Sequence, residues 1–242
     1  MEKKLGKEYY ENLAKKTLQH FYSDRYLELT KSECPDFVSE NIGVEVRRAV
    51  TEKEGNIDAL FREYEARSYS EIPPRRLEQL GFCAEPKNES GDGIIYIQRS
   101  EENGSLIFFK SKSDGELKLF AYFGHITTTD SDVDKIINAI IKKIEKLNKH
   151  YKEKEINELV IIYEEQLNYI GYEQEFIDDF MEKFKLAYNG IDISQYSNNF
   201  DFIYIMALDN LFKFDTETQE MTQETITGEV FKQISKEAYD EI

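Results

Sequence analysis

Apolar residues recur every three or four positions in four segments of the chain, which is the spacing of one face of an α-helix. The segments cover residues 7–29, 51–68, 132–151 and 173–188. The third has the most continuous stripe, in which isoleucine predominates. The pattern therefore predicts four amphipathic helices, and it places the third against a hydrophobic core.

Shorter apolar or alternating runs between these segments predict β-strands. They cover residues 36–39, 42–47, 93–98, 105–110, 117–123, 159–163, 202–206 and 211–214. Asn-Gly and Asp-Gly pairs, which favour tight turns, separate the runs between 93 and 123 and predict an antiparallel meander. The run 159–163 is apolar throughout, as in a strand covered on both faces. Together the elements predict a mixed α/β fold, with α+β layers around one sheet.

A length of 242 residues lies near the upper limit for one domain, so one elaborated domain and two small ones are both possible. We predict a single elaborated domain over residues 1–214, with 48–116 as an insertion. From Asp215 onward eight acidic residues accompany two lysines, so 215–242 is predicted to be a loose acidic segment or a short helix. No run approaches the roughly 18 apolar residues of a membrane helix, and the first ten residues are charged rather than signal-like. We therefore expect a cytoplasmic protein without a membrane partner.

The net charge of −17 argues against general affinity for nucleic acid, which depends on Lys and Arg. The charge is uneven, since residues 1–76 carry 14 Lys and Arg against 15 Asp and Glu, and 77–242 carry 17 against 33. Six of the eight arginines lie between positions 47 and 76. They could form a local nucleic-acid surface, or pair with neighbouring glutamates such as Glu63 on solvated helix faces. The acidic stretch 77–242 is a candidate surface for a basic protein partner.

Residues 34–47 contain the best candidate for a functional site. If Glu40 and Asn41 form a two-residue turn, Phe37 lies opposite Val44 and Asp36 lies opposite Glu45. Strand alternation then puts Asp36, Glu45 and Arg47 on the face opposite Phe37, Val44 and Val46. Carboxylates at opposed positions repel each other. Water, Arg47, a shared proton or a divalent metal could offset that repulsion, or both acids could simply be solvated.

The string Pro35-Asp36, nine residues, then Glu45-Val46-Arg47 resembles the core motif of the PD-(D/E)XK nuclease superfamily. The resemblance implies a restriction-endonuclease-like α-β-β-β-α-β core, a central mixed sheet flanked by helices. The predicted elements can be matched to that order as helix 7–29, strands 36–39 and 42–47, a third strand at 117–123, helix 132–151 and strand 159–163. It also implies Mg²⁺ or Mn²⁺ bound by Asp36 and Glu45, with Glu28 as a further ligand from the first helix.

The chain departs from this motif at Arg47, which occupies the position of the family's lysine. Arginine can stabilise a phosphate, but its pKa is too high for it to accept a proton at neutral pH. Metal-bound hydroxide could act alone, a basic residue could come from elsewhere (Lys110, Lys112 or Lys118), or catalysis could have been lost. We expect a metal-dependent nuclease in which Asp36, Glu45 and Arg47 act in catalysis. The flanking nucleic-acid backbone would be held by arginines at Arg48, Arg62, Arg67, Arg75 and Arg76.

Two other classes of function fit the same residues. A nuclease-like fold without the motif lysine could be a non-catalytic binding or regulatory module, for example in a defence or phage-related system. The acidic 77–242 surface could instead make the chain a protein-interaction module. Fold-level analogy does not decide among these functions.

Overall fold

The structure is a computed structural model that describes residues 6–50, 52–101, 104–123, 129–150, 157–163, 173–189, 200–207 and 209–242. The chain divides into two compact units. The first combines Met1–Val50 with Thr128–Ile242, and the second is Thr51–Thr127. The predicted single domain with an insertion at 48–116 therefore differs from the structure, in which residues 51–127 form a unit with its own core.

The first unit opens with helices α1 (Lys7–Phe21) and α2 (Ser23–Tyr26) and strands β1 (Thr30–Lys31), β2 (Phe37–Ser39) and β3 (Ile42–Arg48). The helix predicted over residues 7–29 is interrupted at Tyr22, whose backbone leaves the helical region at φ −134° and ψ 49°. After this break α2 places Tyr26 in the core, where its side chain is fully buried.

The second unit contains helix α3 (Glu52–Tyr64), a short 3-10 turn (Tyr69–Glu71) and helix α4 (Pro74–Gln79). Strands β4 (Lys87–Asn88), β5 (Ile95–Ser100), β6 (Gly104–Lys110) and β7 (Leu117–Phe123) follow. These strands pair antiparallel in chain order, as the turn-forming dipeptides predict. Helices α3 and α4 pack on one face of this sheet around Ile57, Leu60 and Phe108.

The chain returns to the first unit through α5 (Thr129–His150), β8 (Glu158–Tyr163), α6 (Glu173–Asn189), β9 (Phe202–Ala207) and β10 (Asn210–Asp215). It ends with β11 (Glu220–Thr225) and α7 (Gly228–Asp240). The expectation of a loose segment over 215–242 is therefore corrected, while its alternative of a short helix is found. The reason is that β11 pairs along the whole of β10 through backbone hydrogen bonds, which do not require apolar side chains.

The large sheet has the strand order β1-β2-β3-β8-β9-β10-β11. Strands β3, β8 and β9 are parallel to one another, and the remaining pairs are antiparallel. Helices α5 and α6 cover one face, and α1 and α7 cover the other. Every residue of β8 is buried, which confirms the prediction of an interior strand. The predicted mixed α/β class is confirmed.

The predicted third core strand, 117–123, is wrong, because these residues form β7 in the sheet of the second unit. In the large sheet the strand that extends the β2–β3 hairpin to three antiparallel strands is instead β1, which pairs with β2 through Thr30–Val38 and Lys31–Phe37. Two exposed residues carry no periodic pattern, so β1 left no signal in the sequence. Within the described ranges, every helix is too short or too polar to cross a lipid bilayer.

Candidate metal site

The hairpin of β2 and β3 has the predicted register, with Phe37 opposite Val44 and Ser39 opposite Ile42. The backbone pairing of β2 with β3 ends at Phe37. The preceding residue, Asp36, contacts β3 through its side chain. Asp36 Oδ2 accepts a hydrogen bond of 2.8 Å from the backbone N–H of Val46. The Asp36 carboxylate is thus fixed against the backbone of β3 at Val46, the residue that follows Glu45.

Asp36 lies next to the start of α1, which supplies both a cation and a second acid. Lys7 Nζ is 3.2 Å from Asp36 Oδ1 and 2.6 Å from Glu11 Oε1. Asp36 and Glu11 are both buried, so water contributes little to their solvation. Burial raises the pKa of Glu11, Lys7 opposes this shift, and the nearby negative charge of Asp36 adds to it. Two buried carboxylates therefore share one ammonium group.

Glu45 is approached from the other face of the sheet. Its Oε1 accepts a hydrogen bond from Lys143 Nζ of α5, and both side chains are buried. Glu45 Oε2 is also buried but accepts no hydrogen bond from any described residue. An acceptor in that state loses its hydration without replacement, which costs about 1–3 kcal/mol or more for a charged group. The site thus contains a carboxylate oxygen with unused bonding capacity.

The acid pair is offset by two lysines from different helices, Lys7 for Asp36 and Lys143 for Glu45. Arg47 is exposed. In the described part of the chain, the ion pairs of the two acids are made by lysines and not by Arg47. The contacts of Asp36 come from the α1 side of the sheet and those of Glu45 from the α5 side. The contacts therefore do not place Asp36 and Glu45 on one face of the sheet, as the strand alternation predicted. The reason is that Asp36 lies beyond the end of β2, where that alternation no longer applies.

The helix carboxylate beside Asp36 is Glu11, and not Glu28 as the resemblance implied. Glu28 is exposed in the turn after α2. Glu11 points inward from α1, where strand β2 approaches the helix start. Because Glu11 occurs among the buried residues of an amphipathic helix, its polar character at a core position is the signal that identifies it.

The lysines proposed to replace the motif lysine, Lys110, Lys112 and Lys118, belong to the second unit. Lys118 pairs there with Asp114 at 2.9 Å. The lysine that contacts Glu45 is Lys143, which the sequence reasoning missed. It continues the spacing of Ile136 and Ile140 along α5, so a lysine on an apolar stripe was the available signal.

The arginines assigned to nucleic-acid binding are divided between the two units. Arg48 lies in the first unit, with its guanidinium 4.5 Å from the centre of the Tyr10 ring. In the second unit, Arg76 pairs with Glu63 at 2.5 Å and Arg62 with Asp58 at 3.8 Å, so local ion pairing accounts for both. Arg67 and Arg75 are exposed.

The chain matches no family model, no curated protein and no solved structure. Within the described part of the chain, no group of three or more His, Cys, Asp or Glu side chains is arranged to hold a metal ion. The chemistry that the hairpin offers is that of two buried carboxylates, each with its lysine.

A second buried polar cluster lies at the start of β8. Glu158 is fully buried and accepts hydrogen bonds from Arg25 Nε at 2.8 Å and from the Tyr26 hydroxyl. The Tyr26 and Tyr204 hydroxyl oxygens are 2.5 Å apart. Burial raises the pKa of Glu158, although both Tyr26 and Arg25 oppose that shift. This closed network ties α2 to the sheet and has a structural role.

We expect the contribution of Glu158 to stability to fall as pH rises. Its pKa in the folded chain lies above the reference value of 4.5, so protonation favours the folded state. That contribution is complete below about pH 4.5 and is lost as pH rises through the raised pKa. Urea unfolding between pH 4 and 8 measures the free energy of unfolding of the wild type and of Glu158→Gln. As pH rises, the wild type should lose stability relative to Glu158→Gln. A constant difference would contradict this account.

Proposed function

We propose that the chain is a Mg²⁺- or Mn²⁺-dependent phosphodiesterase acting on nucleic acid, with Asp36 and Glu45 as its metal ligands. The observation that carries the proposal is a pair of buried carboxylates on one hairpin, Glu45 on β3 and Asp36 bonded to the β3 backbone at Val46. The unpaired Oε2 of Glu45 supports it, because a divalent cation is a natural partner for such an oxygen.

The donor set fits magnesium, which is usually held by one or two carboxylates together with water and substrate phosphates. Glu45 Oε2 is the oxygen without a hydrogen bond. Asp36 Oδ2 is engaged by Val46, so Asp36 would bind the metal through Oδ1 in exchange for Lys7. When bound, the metal would lower the pKa of a coordinated water and neutralise charge on the scissile phosphate.

Lys143 supplies a lysine, which the hairpin itself lacks. Its ammonium group contacts Glu45, which is where the resemblance expects a lysine side chain to act. An ammonium group there can stabilise negative charge that develops on a phosphate. Arg47, two residues after Glu45 on the same face of β3, is exposed and free to contact the phosphate.

The order of elements in the first unit also supports the proposal. Helix α1, antiparallel strands β1, β2 and β3, helix α5 and the parallel strand β8 follow one another in the α-β-β-β-α-β order. The second unit enters between β3 and α5. Of the proposed ligands, Asp36 directly precedes the second strand of this order and Glu45 lies on the third, while Lys143 lies on the second helix.

One observation favours a non-catalytic binding module as the second candidate. Each acid already has a lysine, so the charges of the site are compensated without a metal. A chain with such a site could keep the nuclease-like fold and bind a partner without hydrolysing it. The two candidates differ in whether the site binds a divalent cation.

Calorimetric titration with Mn²⁺ separates the two candidates. The proposed phosphodiesterase binds Mn²⁺, and Glu45→Gln should weaken that binding by at least about tenfold because it removes a charged ligand. Glu28→Gln is the matched control, since it removes an acid that lies outside the site and is exposed. Absence of Mn²⁺ binding, or equal affinity in Glu45→Gln, would reject the metal site.

A further inference from the structure

The sheet of the second unit has one face that its own core does not use. Leu106, Phe108 and Leu119 point toward α3 and α4 and are buried. The alternate residues point outward, as strand pleating requires. Their apolar members are only partly buried or exposed, and they are Ile95, Ile97, Ile107, Phe109, Phe120, Ala121 and Phe123.

Three phenylalanines on the neighbouring strands β6 and β7 dominate this outer face. Phe120 is 58% exposed and Phe123 is 61% exposed. Among the described residues, no other large aromatic side chain is as exposed. The Phe109 and Phe120 rings meet edge to face, with centres 4.6 Å apart. The register shift between Ile107 and Phe108 places Phe120 on this face beside Phe109. The result is an aromatic platform open to solvent.

The charged residues at outward positions of these strands are all cationic. Lys87 lies opposite Ile97, Arg99 opposite Ser105 and Lys118 opposite Phe109. Arg99 and Lys118 pair with Glu89 and Asp114, and all four of these side chains lie at the solvent-exposed surface. In a chain of net charge −17, a sheet face whose strand positions carry only positive charge is a local exception.

We propose that this outer face binds single-stranded nucleic acid, with bases stacked on the phenylalanines and phosphates held by Lys87, Arg99 and Lys118. Single strands expose the flat faces of their bases, which stack on aromatic side chains, whereas a duplex keeps those faces covered. Exposed ion pairs are weak. Phosphates can therefore replace Glu89 and Asp114 as the partners of Arg99 and Lys118. The proposal names the substrate class of the proposed phosphodiesterase, and in that respect it rests on the proposed function.

The charges disfavour a second copy of the chain as the occupant. A two-fold contact between identical faces brings the same patch of both copies together. Here it would set cations against cations between two strongly acidic molecules. Phosphate backbones offer the complementary sign.

The test is fluorescence anisotropy of the full chain with a labelled 20-nucleotide oligothymidine and with a blunt duplex, in buffer containing EDTA. The wild type should bind the single strand more tightly than the duplex. Replacing both exposed rings, Phe120→Ala with Phe123→Ala, should weaken single-strand binding at least about tenfold. Lys118→Ala should reduce the dependence of affinity on salt, because a phosphate contact is lost.

Leu186→Ala is the matched control, since it removes a side chain that is 69% exposed on α6 of the first unit. Equal affinity of wild type and double variant, or equal affinity for duplex, would overturn the proposal. A wild-type dimer that the double variant dissociates, without oligonucleotide binding, would identify a second copy as the occupant. Because EDTA removes divalent metal, this result is independent of the Mn²⁺ titration, and either proposal can fail alone.

Discussion

Lys143→Met is expected to lower the free energy of unfolding by about 3–5 kcal/mol, because it leaves the buried Glu45 without its cation. Methionine keeps an unbranched side chain on α5, so the lost packing is small compared with the lost charge. Glu45 Oε2 already lacks a hydrogen-bond donor among the described residues, so removing Lys143 would leave both oxygens without one. Urea unfolding followed by circular dichroism measures the effect.

Two variants separate this effect from a general loss of helix stability. Lys142→Met alters the exposed neighbour on the same helix and should change stability by no more than about 0.5 kcal/mol. Replacing both partners, Glu45→Met with Lys143→Met, should recover most of the loss, since an apolar pair of similar volume is often as stable as a buried ion pair. Equal losses in Lys142→Met and Lys143→Met would contradict the account.

The parts of the fold predicted from the sequence are those in which burial imposes a long periodic pattern. Helix α5 and strand β8 are examples, because each buries apolar residues along most of its length. The hairpin register was also predictable, since one slip would expose Phe37 and Val44. Strands β1 and β11 were missed because they are held by backbone pairing at the sheet edge and bury little.

The candidate site was predictable only where its residues are close in sequence. Asp36 and Glu45 are brought together by one turn, so local pairing rules suffice. Lys143 reaches Glu45 across a separation of 98 residues, and this contact depends on how α5 packs against β3. Glu11 depends in the same way on α1. No local rule states which helix covers which strand, so both residues required the structure.

Asp36→Asn is expected to lower the rate of nucleic-acid hydrolysis at least about a hundredfold while the chain stays folded. The amide oxygen of asparagine can still accept the hydrogen bond from Val46, so the hairpin keeps its geometry. The lost negative charge removes a proposed metal ligand, and it also frees Lys7 to pair with Glu11 alone. Single-turnover cleavage of a labelled oligonucleotide, together with circular dichroism, measures both parts of the prediction.

The most direct test of the metal-dependent phosphodiesterase is this cleavage assay with wild type, Asp36→Asn and Glu28→Gln compared in Mn²⁺ and in EDTA. We expect the wild type and Glu28→Gln to cleave at similar rates in Mn²⁺ and both to stop in EDTA. Asp36→Asn should be at least about a hundredfold slower in Mn²⁺. Wild-type protein that leaves both single-stranded and duplex substrates intact in Mn²⁺, or Asp36→Asn that cleaves at the wild-type rate, would contradict it.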